Sequence, residues 1–201
     1  MLVTDDRLLA GREIVDVARQ AVHGGVTCIQ LRLKEADART LLGLARALKE
    51  AVPVPVLVND RADVAGAAGC GVHLGSDDLA APLARCILPP RSIIGVSVGT
   101  EEEAARAQED GGADYWGVGP LRVTGTKADA GAAIGVDGFR RIVACAAGRP
   151  CIAIGAVRPE DVRAVLDAGG VGVAVVSGIL GEADVAAAAR AYAREFEVRR
   201  G

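Results

Sequence analysis

One pattern recurs along the chain: an alanine-rich stretch, a glycine, a short apolar run, then a polar cluster. It occurs as AVHGGVTCIQLRLK, AGAAGCGVHLGSDD, QEDGGADYWGVGP and DAGGVGVAVVSG. The glycines suit helix C′ positions, where positive φ is tolerated for want of a Cβ. The Val- and Ile-rich runs after them suit buried strands. Four further apolar runs, MLVT, VPVLVND, SIIGVS and PCIAIG, bring the strand candidates to eight. Helices are expected from about Arg12 to Val22, Ala38 to Ala51, Glu101 to Glu109 and Glu182 to Val198. Eight strands alternating with helices in 201 residues predict an α/β fold, a single (β/α)8 TIM barrel domain over residues 1–201. An open doubly wound sheet is the alternative, but no G-x-G-x-x-G follows the first strand. Composition agrees with buried parallel strands. Hydrophobic residues make up 51% of the chain and aromatics only 2%, so Val, Ile, Leu and Ala must build the core.

The same composition narrows the partners. Net charge is −3 with no basic block, which excludes general nucleic-acid binding through phosphate neutralisation. The five cysteines never fall as C-x-x-C, which suits small buried thiols in a reducing compartment. The start MLVTDD lacks a basic leader and apolar h-region, and no apolar run reaches the roughly 20 residues that span a bilayer. The expectation is a soluble cytoplasmic protein with no membrane partner.

In a (β/α)8 barrel the chemistry sits at the C-terminal strand ends. The polar residues after each run should therefore converge: Thr4, Asp5, Gln30, Arg32, Lys34, Asn59, Asp60, Arg61, His73, Ser76, Asp77, Asp78, Ser97, Thr124, Thr126, Lys127, Gly155 and Ser177. Within QLRLK, strand alternation would send Gln30, Arg32 and Lys34 to one face, a pattern suited to an anionic ligand or to a solvated stripe. Acids end VNDRAD and GSDD. Asp60 and Asp78 there suit Mg²⁺ shared with a polyphosphate, because that ion needs only one or two carboxylates beside water and substrate oxygens. Asp77 is read as the cap of a helix starting near Leu79; both acids acting as caps is the alternative. PLRVTGTK combines hydroxyls, a flexible backbone and one of only three lysines, a phosphate-wrapping set that also reads as a solvated turn. AIGAV and VVSGI, with Gly155 and Ser177, suggest a second anion site. Two anion sites imply two substrates or one doubly phosphorylated substrate. His23 is expected on an exposed helix, and His73, Tyr115 and Trp116 as packed strand residues. No Ser-His-Asp set or zinc spacing is present.

GVTCIQLRLK, VLVNDRADVA, GVHLGSDD, IIGVSV, ADYWGVGPLRVTGTK, AIGAV and VAVVSGI, in this order over nearly the whole chain, resemble the thiamine phosphate synthase family. The resemblance implies a barrel that joins 4-amino-2-methyl-5-(diphosphooxymethyl)pyrimidine to a thiazole phosphate, releasing pyrophosphate. It implies a pyrimidine diphosphate site of Gln30, Arg32, Lys34, Asn59, Ser97 and Lys127, with Arg32, Lys34, Ser97 and Lys127 catalytic. It implies Mg²⁺ on Asp60 and Asp78, a thiazole phosphate site of Thr124, Gly125, Thr126, Gly155, Val176 and Ser177, and a homodimer. Four positions depart from the family's pattern. Gly99 replaces a common histidine, Ala156 the second glycine of I-G-G, Ser76 a glutamine, and Arg122 an aromatic or aliphatic residue. The segment before the first strand is short. A phosphate-binding isomerase or tautomerase, or a non-catalytic ligand-binding relative, would share the barrel.

Overall fold

A computed structural model describes residues 1–125 and 131–197. The first half runs β1 (Leu2–Val3), α1 (Asp6–Leu9), α2 (Ile14–His23), β2 (Ile29–Leu31), α3 (Ala38–Ala51), β3 (Val56–Asn59), α4 (Ala62–Ala68), β4 (Gly71–Leu74) and α5 (Ala81–Ile87). The second half runs β5 (Ile94–Val98), α6 (Glu101–Asp110), β6 (Tyr115–Val118), α7 (Gly135–Cys145), β7 (Cys151–Ala153), α8 (Asp161–Asp167), β8 (Gly172–Val173), α9 (Ser177–Leu180) and α10 (Val185–Glu197). All eight strands pair in parallel in chain order. Parallel neighbours cannot be joined by tight turns, so each crossover carries helix. A bridge between Leu2 and Val175, with Val3 N donating to Val175 O at 2.9 Å, closes the sheet into the expected barrel.

The recurring glycines do what their positions promised. Gly25, Gly69, Gly111 and Gly169 have φ of 102°, 66° or near it, and 92°, the left-handed exits from α2, α4, α6 and α8 that a Cβ would strain. The apolar runs are buried on both faces, with Ile29, Leu31, Leu57, Val58, Val72 and Ile94 fully enclosed. Trp116 and Phe139 are the largest enclosed side chains. The Arg149 guanidinium lies 5.1 Å above the Trp116 ring, while the indole N–H finds no hydrogen-bond partner among the described residues.

Three expectations need correction. β2 stops at Leu31, so alternation along a strand does not place Arg32 and Lys34. α5 begins at Ala81 behind Ala80, which gives no side-chain cap; Asp77 caps nothing there. The turn is built by Asp78, whose Oδ2 accepts from Gly75 N at 2.6 Å. Of the five free cysteines, Cys70 and Cys151 are buried and Cys28 half-buried, but Cys86 and Cys145 are exposed. His23 is exposed at the end of α2, as expected. Among the described residues no helix is long and apolar enough to cross a membrane.

Candidate active site

Arg32 and Lys34 lie in the loop after β2, and the end of β1 holds that loop. Thr4 Oγ1 accepts from Arg32 N at 2.8 Å, and Asp6 Oδ2 accepts from Lys34 N at 2.7 Å. Asp5 has two duties. Its Oδ1 caps α1 by accepting from Arg7 N and Leu8 N, and its Oδ2 accepts from Arg32 Nη1 at 3.0 Å. Both side chains of this pair are only 12% exposed, so the guanidinium is aimed by a largely desolvated partner. Asp5 was expected only as one polar residue of the rim; its hold on Arg32 was missed. An N-cap acid two residues beyond a strand was the available signal.

The two predicted metal acids meet. Asp60 follows β3, with φ of 64° and its N–H donating to His73 O at 2.8 Å. That left-handed backbone is one that Asp tolerates better than most residues. The Asp78 side chain is hydrogen-bonded to the Asp60 carboxyl. Burial first, then the bond and negative charge of Asp78, push the Asp60 carboxyl up to about 6, against the opposing pull of Lys34 and Arg32. Asn59, the last residue of β3, lies half-buried beside this pair. Two adjacent, half-buried carboxylates facing two cations fit a divalent ion whose other ligands are water and substrate oxygens. Among the described residues no group of three or more acidic, histidine or cysteine side chains offers a full protein cage.

Below the rim, polar side chains continue into the barrel. His73 on β4 sits between Tyr115 on β6 and Ser97 on β5. Its Nδ1 is 2.8 Å from Tyr115 Oη and its Nε2 is 3.0 Å from Ser97 Oγ. Gln30 on β2 is 3% exposed, with its Nε2 3.9 Å from Met1 Sδ, and it opposes the upward push that burial gives the Tyr115 phenol. His73 is thus a packed, bonded imidazole as expected, whereas Tyr115 is more than strand packing.

The opposite side of the rim carries the loops after β6 to β8. Leu121 N donates to Ile154 O at 2.7 Å and Arg122 N to Gly155 O at 3.1 Å. Gly155 is required here, because a Cβ would lie 2.5 Å from Pro120 Cβ. The close approach it permits is therefore between two loops. Arg122 grips Asp161 with two nitrogens, Nε at 3.0 Å, and Asp161 also accepts from Arg158 N at 2.9 Å. The guanidinium and the Arg158 amide hold the Asp161 carboxyl below its ordinary range. Thr124 is half-buried, Gly125 exposed, Val176 half-buried and Ser177 exposed at the start of α9. Thr126 and Lys127 lie outside the described residues. A histidine at position 99 would not fit without a shift, since a Cβ there would meet Gly119 O at 2.9 Å and Glu103 Oε2 at 3.3 Å.

A closed parallel barrel with an acid pair, flanking cations and backbone-rich loops at its C-terminal rim defines a barrel enzyme for small phosphorylated molecules. The family model described as thiamine monophosphate synthase matches residues 1–179. The chain is 47% identical over 203 residues to the thiamine-phosphate synthase of Azorhizobium caulinodans, covering 99% of this chain and 95% of that one. It is 47% identical over 193 residues to the Moorella thermoacetica thiamine-phosphate synthase, covering 94% and 91%. The solved thiamine phosphate pyrophosphorylase of Pyrococcus furiosus superposes with a TM-score of 0.87 at 35% identity, covering 100% and 96%. The chain belongs to the thiamine monophosphate synthase family, and it is an enzyme of that family.

Proposed function

We propose that this chain joins 4-amino-2-methyl-5-(diphosphooxymethyl)pyrimidine to a hydroxyethyl-thiazole phosphate or its carboxylated form, giving thiamine phosphate and pyrophosphate. One barrel domain, residues 1–201, carries the reaction in the cytoplasm as a homodimer. The observation that supports it most is the meeting of Asp60 and Asp78 with the Arg32 and Lys34 loop at one rim. The C–O bond to diphosphate breaks with its electron pair leaving on the diphosphate. Electron density from the pyrimidine amino group supports the methylene carbon, and the thiazole nitrogen forms the new C–N bond. No protein nucleophile is needed, and the reading requires none.

The residues divide the work. Arg32, held by Asp5, with Lys34 and Lys127, stabilises charge gathering on the departing diphosphate. Asn59, Gln30 and Ser97 hold the pyrimidine end. Asp60 and Asp78 would hold Mg²⁺, which supplies further charge neutralisation on the diphosphate. Thr124, Gly125, Thr126, Gly155, Val176 and Ser177 position the thiazole phosphate. Incubation with both substrates and Mg²⁺ should release pyrophosphate and thiamine phosphate in equal amounts. Asp60→Asn should abolish Mg²⁺-dependent turnover while the protein stays folded by circular dichroism. Full activity in that variant would refute the metal assignment.

A further inference from the structure

Part of the thiazole phosphate site assigned above sits on two neighbouring loops, and one side chain of the last helix touches both. Gly155 lies in the loop after β7, while Val176 and Ser177 open α9 after β8. The strands that carry these loops pair in parallel, with Ala153 beside Val173. Tyr192 on α10 is 7% exposed, and its Oη donates to Val157 O at 2.9 Å. Val157 lies just past Gly155 and Ala156. The same phenol lies over Gly178, the residue after Ser177. A Cβ on Gly178 would collide with Tyr192 Oη and come within 3.2 Å of its Cζ and 3.1 Å of Val175 Cγ1. Glycine weakens a helix, so a glycine inside a single helical turn needs a reason. Here the hydroxyl occupies the place that a methyl would take.

Other contacts hold the remainder of both loops. Ile154 O and Gly155 O accept from Leu121 N and Arg122 N, which ties the loop after β7 to the one after β6. At the far end of α9, Leu180 O and Glu182 O accept from Arg12, whose guanidinium also donates to Leu8 O at 2.6 Å and Leu9 O at 3.1 Å. A planar cation with several donors suits the carbonyls at two helix ends, and it anchors α9 to α1. Two movements are left for Tyr192 to restrain: a swing of the chain beyond Gly155 away from α9, and a tilt of the first turn of α9 about its anchored end. Behind that turn lies a cleft of about 480 Å³, lined by Pro159, Gly178, Glu182, Asp184, Ala188 and Tyr192. The phenol reaches along this cleft from α10 to both loops. A phosphate gripped between two loops binds best when their spacing is set beforehand, because ordering them on binding subtracts from affinity.

We propose that Tyr192 is a positioning residue for the thiazole phosphate: its hydroxyl holds Val157 and its ring seats Gly178, which together set the spacing between Gly155 and Ser177. This rests on the reaction proposed above. It brings the last helix, which lies beyond the residues 1–179 matched by the family model, into the support of the site. Tyr192 acts on one substrate only, because Arg32 and Lys34 on the diphosphate side hang from Thr4, Asp5 and Asp6 instead.

Binding and turnover test this separately. Calorimetry with hydroxyethyl-thiazole phosphate, in Mg²⁺ and inorganic pyrophosphate, reads the phosphate site without catalysis. Tyr192→Phe keeps the ring over Gly178 and loses only the hydroxyl, so it should fold, which its melting curve checks. Its Kd for the thiazole phosphate should rise about two- to tenfold, the weight of one buried hydrogen bond, and KM for that substrate should follow. KM for the pyrimidine diphosphate should change less than about twofold. A merely structural loss would move both substrates together. That result, or a thiazole phosphate Kd within about twofold of wild type, overturns the proposal. Gly178→Ala probes the second contact. It should weaken thiazole phosphate binding, and Tyr192→Phe in that background should recover part of the loss, because the hydroxyl that the new methyl meets is gone. Losses that simply add overturn the proposal. The Tyr192→Phe result decides alone if Gly178→Ala does not fold. Wild type that releases no pyrophosphate, or does not bind the thiazole phosphate, overturns instead the reaction on which this role rests.

Discussion

Lowering the pH should strip the metal from this site in a way that an ordinary aspartate pair would not. The Asp60 carboxyl stands at about 6, raised from 3.8 first by burial and then by its bond to Asp78 and that residue's charge. A divalent ion binds the ionised carboxylate, so each pH unit below about 6 imposes about one further tenfold loss of affinity. The ionised fraction at 6 gives an apparent Kd about elevenfold weaker at about pH 5 than at about pH 8. At the ordinary 3.8 the same change would weaken binding by only about 6%. Mn²⁺ serves as the probe, with free ion counted by electron paramagnetic resonance on the protein without substrates. Asp78→Asn removes the neighbouring charge and should flatten the profile as well as weaken binding. The metal-free protein should respond with the opposite sign. Its Asp60 holds a proton more tightly when folded, so that contribution is present below the ordinary carboxylate range and is lost as pH rises through about 6. A Kd that changes less than twofold between the two pH values would refute the reasoning, because the acids would then not share one desolvated cleft.

Three other substitutions probe the supports of the site. Asp5→Asn keeps a capping oxygen for α1 but loses the charge on Arg32. Turnover should fall as far as in Asp5→Ala, while the alanine variant alone should lose about 1 kcal/mol of stability by denaturant titration. Ala156 has φ of 47°, a left-handed conformation that suits glycine better than alanine. Ala156→Gly should therefore stabilise the protein by about 0.5–1 kcal/mol, net of glycine's added chain entropy, and raise Tm by about 1–3 °C. Arg122→Leu frees Asp161 and loosens the loop that carries Thr124. KM for the thiazole phosphate should rise several-fold with kcat little changed; the reverse split would show that Arg122 acts on the chemistry instead.

Much of this architecture was readable from residue order. Strands buried on both faces need continuous apolar runs, helix exits need a left-handed residue, and both signals recur at regular intervals. Hence the eight strands and the left-handed glycines at Gly25, Gly69, Gly111 and Gly169 lie where the pattern put them. The meeting of Asp60 and Asp78 was readable for a related reason: loops that follow parallel barrel strands gather at one rim. What alternation mis-assigned was the loop of Arg32 and Lys34, since β2 ends before them and Thr4, Asp5 and Asp6, distant in sequence, set their direction. Periodicity describes a strand's own geometry and is blind to a neighbour's hydrogen bonds.

The interior contacts of Tyr115, His73 and Ser97 were hidden for a different reason. Tyr115 and His73 each sit in an apolar run, where packing is the simplest account, and glycines inside strands read as weak points. Gly95 and Gly117 acquire meaning only with the register, which sets Gly95 beside Tyr115 and Gly117 beside Ser97. Two glycines two register positions apart on one face of adjacent strands are a cost to the sheet, about 0.5–1 kcal/mol each relative to alanine. A barrel filled with Val and Ile would not need them. Their presence next to the two polar rings argues that the barrel was hollowed to admit hydrogen-bonding groups at a depth where packing alone would have favoured methyls. Replacing Gly117 with alanine should then displace the His73 ring and shift its imidazole ¹⁵N resonances while the protein stays folded by circular dichroism.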